Sequence, residues 1–209
     1  MISGKVSGLF ATHVGGVPKP RVEAITVQTS GILNEVIRDK KHHGGSEKAV
    51  CILSQEIIES LQVLGHPISG GSTGENILLD VPSHALQPGA QIEFDKVKLE
   101  ITMAATPCKT IGESFLDREF TLLSDKKYPG QTRWYARVIT EGVIQDLESV
   151  VINSNACVEG QLILARQSLL GHQATYLSKH VHVGGTHLLS LEHIRLSLVH
   201  PMLRFHLGS

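Results

Sequence analysis

Short runs of alternating apolar and polar residues, each ended by glycine or proline, favour a mainly β fold for this 209-residue chain. The clearest runs are residues 91–94 and 97–103, which predict a hairpin with one buried face. Residues 135–139 and 143–145 predict a second hairpin of the same kind. Many short strands with few helices favour a β-barrel or a strongly bent sheet over a βαβ arrangement.

One helix is predicted with clear boundaries, between residues 54 and 64. Ser54 can cap it, because a serine side chain accepts a hydrogen bond from the first helical turn. Gly65 then stops the helix, and Pro67 prevents its continuation. Its apolar residues fall on one face and comprise Ile57, Ile58, Leu61 and Leu64. This helix is therefore expected to pack against the strands.

Cys108 lies at a point where a strand must end. Pro107 has no backbone N–H and biases Thr106 towards an extended conformation. The residues that follow, 110–115, are compatible with a helix. Unpaired backbone N–H groups at a helix start, together with the cation of Lys109, favour a thiolate, which attacks electrophiles and binds metals. The alternative is a small buried hydrophobic side chain with no chemical role.

Composition and charge argue against several classes of function. Aromatic residues make up 4% of the chain, too few for a surface that stacks single-stranded nucleic acid. The formal net charge of -1 gives no general attraction to nucleic acid or to an anionic membrane. Cys51, Cys108 and Cys157 form no CxxC pair, which argues against a zinc knuckle or a disulfide framework.

The same sequence predicts a cytoplasmic protein. No apolar run is long enough to span a bilayer. The first residues also lack the apolar segment of a secretion signal.

The chain changes character after residue 152. Seven of the 12 histidines lie beyond this point, and neither helical nor strand periodicity persists there. We therefore divide the chain into a barrel-like domain at 1–152 and a C-terminal tail at 153–209, without a predicted fold and in part compatible with disorder. His180 and His182 could bind a metal from one strand face. Because no carboxylate or thiol lies at a suitable interval, a solvated histidine-rich surface is the favoured interpretation.

Four short motifs, taken in order, resemble a known family. They are His43-Gly44-Gly45 with Lys48-Ala49-Val50, Gly74-Glu75-Asn76, Thr106-Pro107-Cys108-Lys109 and Tyr135-Ala136-Arg137-Val138. Each is weak alone, but their order and spacing over about residues 2–151 resemble MOSC, the domain named after the C-terminal part of molybdenum-cofactor sulfurases. The likeness is strongest to small stand-alone bacterial MOSC proteins.

The resemblance implies a β-barrel-like fold and a molybdenum cofactor of the molybdopterin type, with Cys108 as the central residue. In amidoxime-reducing members the matching cysteine ligates molybdenum, and N-hydroxylated bases are reduced. In sulfurase members the matching cysteine is proposed to carry or transfer sulfur. A soft thiolate suits both roles, as a ligand of high-valent molybdenum or as a persulfide that carries sulfane sulfur.

The other motif residues are the predicted cofactor-binding residues. They comprise His43, Gly44, Gly45, Lys48, Asn76, Lys109, Tyr135 and Arg137. The glycines would expose backbone N–H groups to the cofactor's phosphate, and the three cations would pair with it. His43 would be a donor in the pocket, and Asn76 would either hold the amide-like edge of the pterin or tie its own turn. For every polar member the alternative is an ordinary solvated or backbone-bonded side chain.

Arg137 is the predicted phosphate anchor. It shares one face of a strand with Tyr135, whereas Ala136 and Val138 share the other. Small apolar residues are expected against the core, which leaves the Tyr135 and Arg137 face for solvent or ligand.

One departure from the family pattern concerns the loop before the first motif. Relatives usually carry Gly-Asp where this chain has Asn34-Glu35. Loss of a glycine can change the backbone of a loop, since glycine alone adopts a positive φ without cost.

Three functions follow from these observations. The first is a molybdenum-dependent reductase that acts on a small N-hydroxylated substrate. The second is a sulfur carrier or a cofactor-binding module without turnover, and the third is a structural barrel in which Cys108 is inert. The sequence carries neither an iron–sulfur motif nor a flavin fingerprint, so a reductase would need a separate redox partner protein.

Overall fold

The computed structural model describes residues 1–39 and 43–153. The strands within these ranges are β1 (Ile2–Phe10), β2 (Arg21–Val22), β3 (Ala24–Gln28), β4 (Gly31–Ile32), β5 (Val50–Ser54), β6 (Ile77–Asp80), β7 (Gln91–Glu93), β8 (Lys98–Ala105), β9 (Arg133–Thr140), β10 (Gly142–Gln145) and β11 (Ser149–Asn153). The α-helix is α1 (Gln55–Val63), and short 3₁₀ helices span Ser46–Lys48, Ser83–Ala85, Lys109–Ser114, Leu116–Arg118 and Phe120–Leu123. Beyond Asn153 the predicted tail, with His180 and His182, lies outside the described residues.

Seven strands close into a barrel in the order β1, β11, β7, β8, β9, β5 and β6, and β6 pairs back to β1. The pairing of β1 with β11 closes the barrel and sets Ile2 opposite Ile152. Within the barrel β5 and β6 run parallel, while the other neighbours are antiparallel. β10, β3 and β4 form a separate small sheet. The predicted barrel is therefore confirmed.

One of the two predicted hairpins is present. β7 pairs with β8, as the alternation of residues 91–94 and 97–103 predicts. The hairpin predicted from residues 135–139 and 143–145 is wrong. Both edges of β9 are occupied by barrel neighbours, β8 and β5, so β10 pairs with β3 instead.

The predicted helix is confirmed as α1. The Ser54 hydroxyl accepts a hydrogen bond from the Glu56 N–H at 3.2 Å and donates one to the Val81 carbonyl at 2.7 Å. Parallel strands cannot be joined by a tight turn, and α1 lies in the connection between β5 and β6. It buries Ile57, Ile58 and Leu61.

Two large apolar clusters stabilise the domain. The larger includes Ile52 on β5, and the second packs α1 and the segment after Cys108 against Leu53. β5 is buried along its whole length because its alternate residues reach both clusters. Among the described residues, no helix is long and apolar enough to cross a membrane.

Candidate functional site

A cavity of about 510 Å³ lies where all four sequence motifs meet. Residues distant in sequence contribute to its wall, because the barrel brings strand ends and their loops together. The predicted site residues that line it are His43, Gly44, Lys48, Asn76, Cys108 and Tyr135. A ligand in this cavity could therefore contact several of the predicted site residues at once.

Three predicted site residues lie away from this cavity's wall. Gly45 is exposed before the 3₁₀ helix at Ser46–Lys48, and Lys109 is exposed beside Cys108. The Arg137 guanidinium lies between two carboxylates, 2.6 Å from Glu100 Oε1 and 3.4 Å from Glu47 Oε2. Arg137 follows Tyr135 by two residues, and that step of about 7 Å along the strand carries it past the cavity.

Cys108 is the N-cap residue of the 3₁₀ helix Lys109–Ser114. It is partly exposed, and its Sγ lies 2.7 Å from the Thr110 hydroxyl oxygen. The strand before it ends at Ala105, as expected from Pro107. The thiol therefore combines access to solvent with a place in the cavity wall.

A second cysteine in the wall has a different environment. Cys51 is 6% exposed and lies opposite Tyr135 in the β5–β9 pair. Burial raises the pKa of the Cys51 thiol, and the cations of Arg133 and Lys19 oppose this shift only in part. Cys51 is therefore held as an unreactive neutral thiol.

Tyr135 links the buried wall to the histidine motif. Its hydroxyl hydrogen-bonds His43 Nδ1, and Lys48 Nζ lies 5.6 Å from the centre of its ring. Burial raises the pKa of Tyr135 above its ordinary value, and the neighbouring Cys51 adds to the shift. Tyr135 therefore stays a neutral phenol that can donate to His43.

The side-chain amide of Asn76 is used within the protein. Its Oδ1 accepts a hydrogen bond from the Cys51 N–H at 3.1 Å. Its Nδ2 donates to the Phe10 carbonyl at 3.2 Å and to the Glu35 carboxylate at 2.9 and 3.0 Å. Of the two sequence interpretations of Asn76, this geometry matches the structural tie rather than a ligand contact.

Glu35 completes this tie with a buried ion pair to Lys19 at 3.0 Å. The preceding residue, Asn34, adopts a φ of 63°. Asparagine tolerates this left-handed conformation better than most residues, so the loop keeps a glycine-like backbone without glycine. The departure from the family pattern therefore leaves a buried carboxylate in the cavity wall.

Arg133 is the functional candidate that sequence reasoning missed. It lines the cavity and is 4% exposed. Its Nη1 donates to the Thr73 carbonyl, whereas its buried Nε has no hydrogen-bond partner. No local sequence pattern signals this, because Arg133 reaches the cavity through the antiparallel β8–β9 pair, in which it lies opposite Ala105. The start of β9 is therefore near Cys108, and its middle is not.

The described residues contain no metal site made only of side chains. Within residues 1–39 and 43–153, no three histidine, cysteine, aspartate or glutamate residues are grouped so that they could hold an ion.

Comparison with known families agrees with this arrangement. The family model of the MOSC domain matches residues 39–151, more than half of the chain. This chain belongs to the MOSC family. Family members are generally linked to binding of the molybdenum cofactor. The MOSC resemblance of the four motifs is thus confirmed.

Individual relatives are more distant. YflK of Bacillus subtilis (strain 168), described as uncharacterized, is 25% identical over 132 residues, which are 62% of this chain and 59% of YflK. This match thus spans about three fifths of that relative.

Solved structures share the MOSC fold at low identity. YuaD of Bacillus subtilis has a TM-score of 0.57 and 17% identity, covering 75% of this chain and all of YuaD. YiiM of Escherichia coli has a TM-score of 0.54 and 14% identity, covering 73% and 71%. YiiM of Geobacillus stearothermophilus has a TM-score of 0.52 and 20% identity, covering 93% and 94%.

The Asn76 tie predicts a stability effect that is independent of any ligand. Asn76→Ala should lower the free energy of unfolding by about 2–3 kcal/mol, because it leaves the buried Cys51 N–H without a partner. Urea unfolding followed by circular dichroism measures this change. Asn34→Gly is the control and should change stability by less than about 1 kcal/mol, since glycine accepts the positive φ. An Asn76→Ala protein as stable as the wild type would contradict the structural assignment.

The two cysteines of the wall should differ in reactivity. Iodoacetamide near neutral pH should alkylate Cys108 roughly tenfold or more faster than Cys51, because Cys51 is buried and its pKa is raised. Peptide mass spectrometry of the native full-length protein separates the two sites. Unfolding in urea should abolish the difference. Equal protection of both thiols in the native, cofactor-free protein would show that Cys108 is inaccessible.

Proposed function

We propose that this protein binds a molybdopterin-type cofactor in the cavity, with Cys108 as the protein ligand of molybdenum. We further propose that the loaded protein reduces N-hydroxylated compounds with electrons from a separate donor protein. The observation that supports this best is the partly exposed Cys108 thiol in the wall of a cavity that is also lined by the buried cation of Arg133. The family's link to the cofactor supports the same proposal.

The residues of the cavity fit such a group in three respects. Cys108 supplies a soft sulfur ligand, which suits molybdenum. Arg133 lines the cavity with a buried guanidinium that can pair with an anionic group, and its Nε has no hydrogen-bond partner in the protein. Gly44 and Gly74 line the cavity at φ values of 82° and 86°, which glycine adopts readily, and without side chains they bring the backbone to the cavity surface.

Removal of oxygen from an N-hydroxylated compound consumes two electrons and two protons and releases water, and the bound cofactor would supply the two-electron chemistry. The chain's own residues would hold the reactants and a proton. Because Tyr135 stays protonated, its hydroxyl can donate to His43 Nδ1 and orient the imidazole ring. His43 lines the cavity, so its ring lies beside the space in which a substrate's hydroxyl oxygen could bind.

Sulfur transfer is the second candidate function, and the same accessible thiol favours it. The Cys108 thiolate would attack the outer sulfur of a donor persulfide, which forms the Cys108 persulfide and releases the donor's thiolate. No external oxidant is required, because the sulfane sulfur moves between two thiols. Cys51 is too deeply buried to serve in this role.

Metal loading tests the first function. The full chain, purified from a molybdenum-replete host that makes the cofactor, should contain molybdenum by mass spectrometry of the metal. Cys108→Ser should lower that content by roughly tenfold or more, because loss of even an outer-shell contact can cost this much affinity. Cys157→Ser is a matched substitution and should keep the metal. A wild-type protein without molybdenum, or a Cys108→Ser protein that retains it, would refute Cys108 ligation.

Persulfide formation tests the second. Incubation of the cofactor-free protein with a small-molecule persulfide donor should add one sulfur atom to Cys108 if the protein carries sulfur. Intact-mass measurement and peptide mapping would detect the addition, and cyanide should remove it. Cys108→Ser provides the control. A Cys108 peptide that gains no sulfur would eliminate this candidate function.

A further inference from the structure

Arg133 carries a buried positive charge without a matching carboxylate. The residue is 4% exposed, and the partner of its guanidinium is a neutral carbonyl, that of Thr73. Among residues 1–39 and 43–153, no carboxylate lies within ion-pair distance of Arg133. A buried cation is costly unless an anion or several acceptors surround it, so this guanidinium has unused capacity for an acceptor.

The loop beside Arg133 cannot supply that anion. Glu75 is fully buried there, but its Oε1 accepts from the Gly71 N–H at 2.5 Å and its Oε2 from the Thr73 hydroxyl at 2.6 Å. These bonds fix the loop whose Thr73 carbonyl positions the guanidinium. Arg133 is therefore held in place by groups that leave Nε unpartnered.

The net charge of the cavity wall also favours an anionic ligand. Among the described residues, Lys19, Arg38, Lys48 and Arg133 line the cavity against Glu35 and Asp39, which leaves two positive charges in excess. Lys19 is already paired with Glu35 at 3.0 Å. The deep part of the wall at Arg133 thus offers a fixed guanidinium to an anion that enters the cavity.

We propose that Arg133 is the centre of an oxyanion site in this cavity, for a phosphate monoester or a free tetrahedral oxyanion. The inference rests in part on the proposed function, which it deepens by assigning a residue to the phosphate end of the ligand. A guanidinium suits such groups because its N–H donors match two oxygens at once. Arg137, the anchor expected from the sequence, is instead occupied by Glu100 and Glu47 outside the cavity.

The test is calorimetric titration of the full chain, made in a host that cannot synthesise molybdopterin, with sodium orthophosphate and with phenyl phosphate in chloride buffer. Wild-type protein should show saturable binding. Arg133→Gln should weaken binding by about ten- to a hundredfold, the scale of hydrogen bonds to a charged group. Arg137→Gln, a matched change on the same strand, should alter affinity by less than about twofold.

A second variant tests whether weaker phosphate binding is only a result of misfolding. Arg133→Lys keeps the charge but loses the paired N–H donors, so it should also bind phosphate more weakly than wild type while melting as a folded protein. Tighter binding of phenyl phosphate assigns the site to an ester, and tighter binding of orthophosphate assigns it to a free oxyanion. Absence of saturable binding in wild type, or equal weakening by the Arg133 and Arg137 changes, overturns the proposal.

The outcomes separate this inference from the proposed function. Phosphate binding that depends on Arg133, in a protein that never acquires molybdenum, keeps the oxyanion site and refutes the cofactor proposal. Molybdenum content that depends on Cys108, together with phosphate binding that is unchanged in Arg133→Gln and Arg133→Lys, refutes the oxyanion site and keeps the cofactor proposal.

Discussion

The hydrogen bonds of the Asn76 side chain are the contacts on which the cavity depends. One amide joins the end of β1, the backbone of β5 and the loop that carries Glu35. It also supplies donors to a carboxylate removed from solvent, which would otherwise be costly to bury. Because Glu35 in turn holds Lys19, several parts of the wall depend on one side chain. The wall is thus organised before any ligand enters.

Burial assigns different chemistry to the two cysteines of this wall. Cys108 follows a strand end and remains partly exposed, whereas Cys51 lies within a strand whose residues are all buried. The cations near Cys51 favour its thiolate, yet desolvation outweighs them. Proximity to positive charge alone therefore does not identify the reactive thiol. The position of each cysteine relative to its strand does.

Local patterns predicted much of the fold. The α1 boundaries followed from Ser54 and Gly65, and the β7–β8 hairpin followed from alternation, since both depend on residues close in sequence. The second hairpin failed because the partners of β9 are chosen by barrel closure, which no local pattern encodes. Short-range sequence patterns predict individual helices and strands well, but they predict poorly which strands pair in the sheet.

The residues of the candidate site were likewise predicted only in part. The motifs identified most of the segments that meet at the cavity, but they predicted Arg137 as a cavity residue and did not predict Arg133, which lines the wall. Both arginines share a strand face, so alternation could not choose between them. The choice depends on which end of β9 adjoins the end of β8, and this is a property of strand direction. The ion pair of Lys19 with Glu35 in the cavity wall was not predicted, because the two residues are 16 positions apart in sequence.

The number of strands in the barrel has a consequence for the location of this site. In a closed ring, strand directions must return to their starting sense, so an odd number of strands cannot alternate throughout. Seven strands therefore require at least one parallel neighbour pair, and here that pair is β5 and β6. Their starts lie at the same rim, which brings Lys48-Ala49 beside Gly74-Glu75-Asn76. The odd number of strands, through the parallel pair that it requires, thus places two motifs that are distant in sequence next to each other.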